Sequence, residues 1–101
     1  MTELRYVRLA PEEISSELET VAGWAVVEGS LTKVFEFETY LAGADFAANV
    51  ARTAESLNHH PDILVSWRKV KVSVNTHDVQ GISPYDFELA RRVDRLFGGA
   101  R

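Results

Sequence analysis

Cysteine is absent from this chain of 101 residues. Without a thiol, the protein cannot form disulfide bonds, thiolate nucleophiles or cysteine-ligated zinc and iron–sulfur sites. Proline and glycine are also scarce, at three and six residues, and the sequence shows no repeat, low-complexity tract or linker. We therefore predict one domain, residues 1–101, built around a single hydrophobic core.

Long apolar runs and an excess of positive charge are missing as well. No segment approaches the roughly 20 apolar residues that a membrane-spanning helix needs, and the charged N-terminal stretch does not look like a signal peptide. The formal net charge is -4, so a nucleic-acid backbone finds no general attraction here. These properties predict a soluble, cytoplasmic protein that binds neither nucleic acid nor a membrane directly.

Three segments carry the apolar spacing of helices. Pro11 begins the first, and its apolar residues recur at helical spacing as far as Val21. The second covers residues 39–57, where apolar residues three or four apart form one stripe. The tetrad SPYD at residues 83–86 opens the third, with an N-cap serine, a proline at the first helical position and Asp86 at the capping-box position.

Four further segments have the alternating or β-branched pattern of strands. They cover residues 24–28, 31–38, 63–67 and 69–76, and Gly29-Ser30 is predicted to form the first hairpin turn. The last of them alternates most clearly, with valines on one face and polar side chains on the other. The sequence therefore predicts two hairpins.

The predicted element order is α-β-β-α-β-β-α. Pairs of adjacent strands imply antiparallel hairpins, so we predict an α+β fold with a four-stranded antiparallel sheet and three helices packed on one face. An edge strand of so small a sheet invites pairing with a second copy. A homodimer or larger homo-oligomer is thus expected.

The chain has only three histidines, and all of them fall at the ends of predicted elements: His59, His60 and His77. A metal site is not favoured, because adjacent residues diverge whereas helical metal-binding pairs are spaced i, i+4. Imidazole has a reference pKa of about 6.5 and can move protons near neutral pH, so acid/base chemistry is the sharper hypothesis. A purely structural role for each histidine remains the alternative.

One long segment resembles a known family. The stretch AESLNHHPDILVSWRKVKVSVNTHDVQGISPYDFELARRVDRL closely resembles the signature region of the pterin-4a-carbinolamine dehydratases. The matching positions, at the family's spacing, are Glu55, His59-His60-Pro61, Trp67, His77 and Asp86. The preceding Gly23-Trp24 and the FEFETYLAGADFAANVA segment are similar too, so the resemblance covers nearly the whole chain.

The resemblance implies a hydro-lyase. The reaction would remove water from a 4a-hydroxytetrahydropterin to give the quinonoid dihydropterin, and so recycle the pterin that aromatic amino acid hydroxylases oxidise. The 4a-hydroxyl leaves once it is protonated, and a ring N–H proton is lost. Both steps need a proton carrier at neutral pH and neither needs a metal or redox cofactor, so no cofactor is expected.

The resemblance also implies roles for the histidines within one catalytic site. His59 and His77 correspond to the proton-transferring pair, which can serve different stereoisomers of the 4a-alcohol, and His60 corresponds chiefly to a substrate-binding residue. The pterin-contacting positions implied by the family are Asn58, His59, His60, Asn75, Thr76, His77 and Asp78.

The supporting positions of the signature each have a plainer alternative. Glu55 either orients an imidazole or is a surface carboxylate, and Pro61 is expected to fix the turn. Trp67 is predicted to fill the core or an interface, with a pocket wall as the alternative, and Trp24 is predicted to lie in the core. For Asp86 we favour helix capping over a direct catalytic role.

Two departures from the family pattern leave questions open. Many relatives have an aromatic residue where this chain has Ile63, and a serine where it has Asn75, so pocket shape and the accepted pterin side chain are not determined. Dimer and tetramer are not distinguished either. The alternatives are a non-enzymatic dimerisation or coactivator module and a dehydratase that acts on another pterin, perhaps one related to the molybdenum cofactor.

Overall fold

The computed structural model describes residues 4–100. In chain order its elements are α1 (Pro11–Leu18), β1 (Ala25–Val27), β2 (Ser30–Glu36), α2 (Tyr40–Leu57), β3 (Asp62–Ser66), β4 (Lys69–Val74), a short 3₁₀ helix (His77–Val79) and α3 (Pro84–Ala100). This order of helices and strands confirms the prediction. Within the described residues, no helix is both long and apolar enough to cross a membrane.

The four strands form one antiparallel sheet in the spatial order β1-β2-β4-β3. In its two central strands Leu31 lies opposite Val74, and on the outer side of β4 Ile63 lies opposite Val72. This register puts the apolar side chains of neighbouring strands on the same face. The α+β fold predicted from the sequence is therefore confirmed.

The core lies between the apolar face of the sheet and the helices that cover it. The sheet contributes Leu31, Phe35, Val70, Val72 and Val74, and the helices contribute Phe46, Val50, Ala54, Phe87, Ala90 and Val93. Aromatic rings fill the centre: Phe35 lies 5.0 Å from Phe46 and 5.0 Å from Phe97, measured between ring centroids. Trp24 is buried against Phe35, as predicted.

The first hairpin turn differs from the prediction by one residue. Val27 pairs with Ser30, so Glu28 and Gly29, not Gly29 and Ser30, form the turn. Both turn residues have positive φ, 49° for Glu28 and 82° for Gly29. A two-residue turn of this hand matches the right-handed twist of the strands, and this requirement overrides the poor suitability of glutamate for positive φ.

Trp67 does not lie in the core, so that part of its prediction is wrong, and a position in an interface stays a prediction. Ser66 pairs with Lys69, which leaves Trp67 and Arg68 as the two-residue turn between β3 and β4. The indole is 72% exposed and its ring lies 5.1 Å from the Arg68 guanidinium carbon. The strand predicted at residues 63–67 therefore starts and ends one residue earlier.

Several elements are also shorter than predicted: α1 ends at Leu18, β1 covers only Ala25–Val27, β2 ends at Glu36 and β4 ends at Val74. At the end of β4 the chain leaves the sheet because Thr76 pairs with Gly81 instead, and the Thr76 N–H donates to the Gly81 carbonyl at 2.8 Å. This small loop carries the 3₁₀ helix and brings the start of α3 beside the end of α2. The candidate site lies at that junction.

Candidate functional site

The end of α2 separates the two adjacent histidines. Asn58 adopts the left-handed conformation with φ 53°, and its N–H donates to the Glu55 carbonyl while the His59 N–H donates to the Ala54 carbonyl. These two bonds form the Schellman arrangement that ends many helices. After it, His59 points inward and is 7% exposed, whereas His60 is exposed.

Asp86 holds the buried histidine. The His59 Nε2 atom lies 2.6 Å from Asp86 Oδ1, and the carboxylate is completely buried in the first turn of α3. A buried charge is tolerated when it is paired and hydrogen-bonded. Asp86 is therefore a direct partner of a candidate catalytic residue as well as a helix residue.

The second oxygen of Asp86, Oδ2, is hydrogen-bonded by residues close to it in the chain. It accepts hydrogen bonds from the Thr76 hydroxyl at 2.8 Å and from the Ser83 N–H at 2.9 Å. The Thr76 hydroxyl uses its proton for Asp86, so Ser83 is the donor in the 2.6 Å hydrogen bond between the Ser83 and Thr76 hydroxyls. The Ser83 hydroxyl also accepts a hydrogen bond from the Tyr85 N–H. Asp86 thus caps α3, as predicted, and anchors His59 at the same time.

This arrangement determines which nitrogen of His59 can do chemistry. An ionised Asp86 accepts a proton from Nε2, so the neutral imidazole carries its lone pair on Nδ1. Within the described part of the chain, no buried side-chain nitrogen or oxygen lacks a partner, and Nδ1 has none. Nδ1 is therefore accessible to solvent, and because His59 lines the groove described next, we infer that Nδ1 faces it.

A groove of about 430 Å³ gathers the predicted pterin-contacting residues. Its walls are Tyr6, Asn58, His59, His60, Asn75, Thr76, His77 and Asp78. The segment after α2 forms one side and the segment after β4 forms the other. Seven of the eight were expected there, and the groove is polar and open to solvent.

The other two histidines are more accessible than His59. His60 Nε2 lies 2.8 Å from Glu55 Oε2, and both side chains are mostly exposed. This pair orients the imidazole but adds little stability because water screens it. His77 begins the 3₁₀ helix, is exposed, and makes no side-chain hydrogen bond to any residue in the described range 4–100.

The remaining supporting residues divide between the site and the scaffold. Glu55 reaches the site through His60, and Pro61 is half-buried directly before β3. Trp67 lies in the β3–β4 turn and does not line the groove. The described residues contain no group of three or more His, Asp or Glu side chains placed to hold a metal ion.

A second groove of about 440 Å³ lies on the other side of His77 and Asn75, which line both. Its walls are largely apolar, with Leu9, Ile14 and Ile82 among them. It contains neither the buried carboxylate nor His59. The convergence of titratable and hydrogen-bonding groups therefore favours the histidine groove as the reactive site.

The sequence did not indicate one wall of the histidine groove. Tyr6 stacks on Tyr85 with ring centroids 4.0 Å apart and planes at 10°, and His59 lies 6.1 Å from the first ring and 5.6 Å from the second. Partial desolvation and the neighbouring Tyr85 phenol raise the pKa of Tyr6 above its usual 10.0. Tyr6 precedes every helix and strand, so no periodicity marked it.

Comparisons with known proteins agree with one another. The sequence profile of the family described as "Pterin 4 alpha carbinolamine dehydratase" matches residues 7–96. A protein of Herpetosiphon aurantiacus that is provisionally named a pterin-4-alpha-carbinolamine dehydratase is 39% identical over 93 residues, which is 92% of this chain and 97% of that protein.

Solved structures show the same fold. The crystal structure of a transcriptional coactivator/pterin dehydratase from Brucella melitensis superposes with a TM-score of 0.85 at 30% identity and covers 90% of this chain and 99% of its own. A pterin dehydratase-like protein identified as a RuBisCO assembly factor in the alpha-carboxysome is more distant. Its TM-score is 0.61 at 24% identity, over 74% of this chain and 87% of its own.

Proposed function

The chain belongs to the pterin 4 alpha carbinolamine dehydratase family, and we propose from this premise that it dehydrates a 4a-hydroxytetrahydropterin to the quinonoid dihydropterin. The observation that carries the proposal is the His59–Asp86 pair, whose Nδ1 opens onto a groove of suitable size. A buried carboxylate that fixes the tautomer of an imidazole is a recurrent device of general acid/base catalysis.

The proposed reaction is an elimination without redox change. A protonated imidazole donates to the 4a-hydroxyl, the C4a–O bond breaks and water leaves. A ring N–H proton passes to a neutral imidazole as the new double bond forms, so the enzyme ends with the proton count at which it began. One imidazole can carry out both transfers, and the groove offers two of them, His59 through Nδ1 and His77 from the opposite segment, each proposed to serve one stereoisomer of the 4a-alcohol.

The remaining groove residues would bind the ring. A pterin edge presents amide-like donors and acceptors, which suit the exposed backbone and side chains around Asn58 and Asn75. Asn75 already donates to the Ser30 hydroxyl at 2.8 Å, so its side chain is held in one orientation. His60, held by Glu55, is proposed to contact the substrate more than to transfer its protons.

The direct test is an assay of dehydration on a freshly generated 4a-hydroxytetrahydropterin, followed by the absorbance of the quinonoid product. We expect the purified chain to accelerate the reaction well beyond the spontaneous rate. Failure to do so, with the protein folded, would overturn the proposed activity.

The His60→Ala variant is expected to raise KM roughly three- to tenfold with little change in kcat, which is the effect of losing about one hydrogen bond. Its imidazole is exposed, so folding should be unaffected. Steady-state kinetics of the variant beside Glu55→Gln, which keeps the imidazole but weakens its orientation, give the measurement. A large fall in kcat with constant KM would instead assign proton transfer to His60.

We propose that this activity serves tetrahydropterin recycling in the cytoplasm, linked to an aromatic amino acid hydroxylase.

We also propose that the chain forms a homodimer or homotetramer. Among residues 4–100 the sheet ends in the edge strands β1 and β3, and Leu64 on β3 is an exposed apolar side chain. Light scattering at several concentrations measures the mass, and a monomer at all of them would contradict this proposal.

A second candidate is a protein-binding module, because the Brucella melitensis relative is described as a transcriptional coactivator as well as a pterin dehydratase. Such a role would not require the groove histidines. A variant in which His59, His60 and His77 are all alanine separates the two functions, since it should lose dehydration and keep any protein partner.

A further inference from the structure

Two tyrosines from distant parts of the chain form one stacked pair beside the histidine groove. Tyr6 lies in the segment before α1, and Tyr85 lies in the first turn of α3 next to Asp86. Their rings are 4.0 Å apart and nearly parallel, at 10°. Tyr85 is less exposed than the half-exposed Tyr6 and covers one face of its ring.

About half of the Tyr6 side chain remains exposed beyond its contact with Tyr85. Tyr6 lines the histidine groove, and Tyr85 does not. The side of the Tyr6 ring that faces away from Tyr85 is therefore the surface available to a molecule in the groove.

We propose that Tyr6 is a substrate-binding residue whose ring face away from Tyr85 stacks on the flat pterin, with Tyr85 as its backing. The proposal rests on the proposed function for the identity of the ligand, a planar heterocycle. A ring stacked on Tyr6 keeps its edges free for the polar groups around Asn58 and Asn75. Stacking supplies contact area that a groove lined mainly by polar groups otherwise lacks.

The backbone holds this aromatic wall in place. The Leu9 N–H donates to the Ile82 carbonyl at 2.8 Å, which ties the N-terminal segment to the chain just before α3. The Tyr6 hydroxyl lies 3.5 Å from the Asn58 carbonyl, a long contact that contributes little. The ring and not the hydroxyl should therefore carry the effect. Because its pKa lies above 10.0, the phenol remains neutral at ordinary assay pH.

The test measures binding of an oxidised, unreactive pterin, 6-methylpterin, by quenching of its fluorescence. Tyr6→Leu should raise the dissociation constant for 6-methylpterin roughly three- to tenfold, as expected for loss of an aromatic stack. Tyr6→Phe should stay within about twofold of wild type because it retains the ring. Tyr40→Leu is the matched control, since Tyr40 is a similarly exposed tyrosine at the start of α2 and should change nothing.

The outcomes separate this inference from the proposed function. If the wild type dehydrates the substrate but Tyr6→Leu binds the pterin as wild type does, the stacking role is wrong and the dehydratase stands. If the wild type binds the pterin and Tyr6→Leu weakens that binding, but the wild type does not accelerate dehydration, the stacking role stands and the proposed dehydratase activity is wrong. If Tyr6→Phe is as weak as Tyr6→Leu, the hydroxyl and not the ring is responsible. Circular dichroism confirms that each variant is folded.

Discussion

The Asp86→Asn variant is expected to lose roughly 10²-fold or more in kcat on the 4a-alcohol stereoisomer that His59 serves, the scale of a positioned general acid/base. Asparagine has nearly the shape of aspartate, so the side chain should remain in its place between His59 and the start of α3. What changes is the chemistry of its two terminal atoms. Removing the charge also removes the stabilisation of a protonated His59.

The loss follows from the hydrogen bonds that surround this position. The Ser83 N–H and the Thr76 hydroxyl both donate to Oδ2, so the asparagine oxygen should take that side and leave its NH2 facing His59. The NH2 group can only donate, and Nε2 must then become the acceptor. His59 would carry its proton on Nδ1, the nitrogen that faces the groove, and could no longer act there as a base.

Kinetics and unfolding together check this expectation. The free energy of unfolding should fall by about 1–3 kcal/mol, because a charged hydrogen-bond acceptor is lost from a buried site. The matched control is Asp45→Asn on the exposed side of α2, which should alter neither quantity. An Asp86→Asn variant with kcat within about threefold of wild type on both stereoisomers would remove His59 Nδ1 from the mechanism.

Separate single variants of the two proton carriers are expected to distinguish the stereoisomers of the substrate. His59→Ala and His77→Ala should each lose roughly 10²-fold in kcat on one 4a-alcohol and retain most activity on the other. The double variant should lose activity on both stereoisomers. The reason is that the two imidazoles enter the groove from different segments, one after α2 and one after β4, and the 4a-hydroxyl of the two stereoisomers projects from opposite faces of the ring.

The comparison of single and double variants also tests the alternative mechanism. Groups that act together in one step are strongly non-additive, so removing either costs about as much as removing both. If each single variant lost both stereoisomers equally and the double variant lost no more, the histidines would act as one acid/base pair. His77→Ala is the cleaner variant for folding, since its side chain is exposed whereas His59 is buried against Asp86.

Local patterns predicted the fold well because they act over a few residues. The alternation that ends at Val74 predicted its strand, and the SPYD tetrad predicted the start of α3 at Pro84. The same tetrad predicted the bond from the Ser83 N–H to Asp86. Boundaries were less predictable, because Glu28 takes a positive φ only to satisfy the hairpin geometry.

The site was predictable only where a resemblance supplied the long-range information. No spacing rule connects His59 with Asp86, which lies 27 residues away. The capping-box pattern predicts the contact of Asp86 Oδ2 with the Ser83 N–H but does not predict the contact of Asp86 Oδ1 with His59. Tyr6 had no signal of its own, since the ring that stacks on it, Tyr85, lies near the other end of the chain. Trp67 was predicted in the core or an interface, and the turn between β3 and β4 keeps its side chain out of the core.

The loop closed by Thr76 and Gly81 determines how late in synthesis the site can form. A nascent chain that has emerged only as far as Val79 already contains all three histidines, yet it lacks the partner of Thr76 and the carboxylate for His59. The groove therefore acquires its working form only with the last helix. Synthesis that stops before Asp86 would release a chain with every imidazole and no organised site.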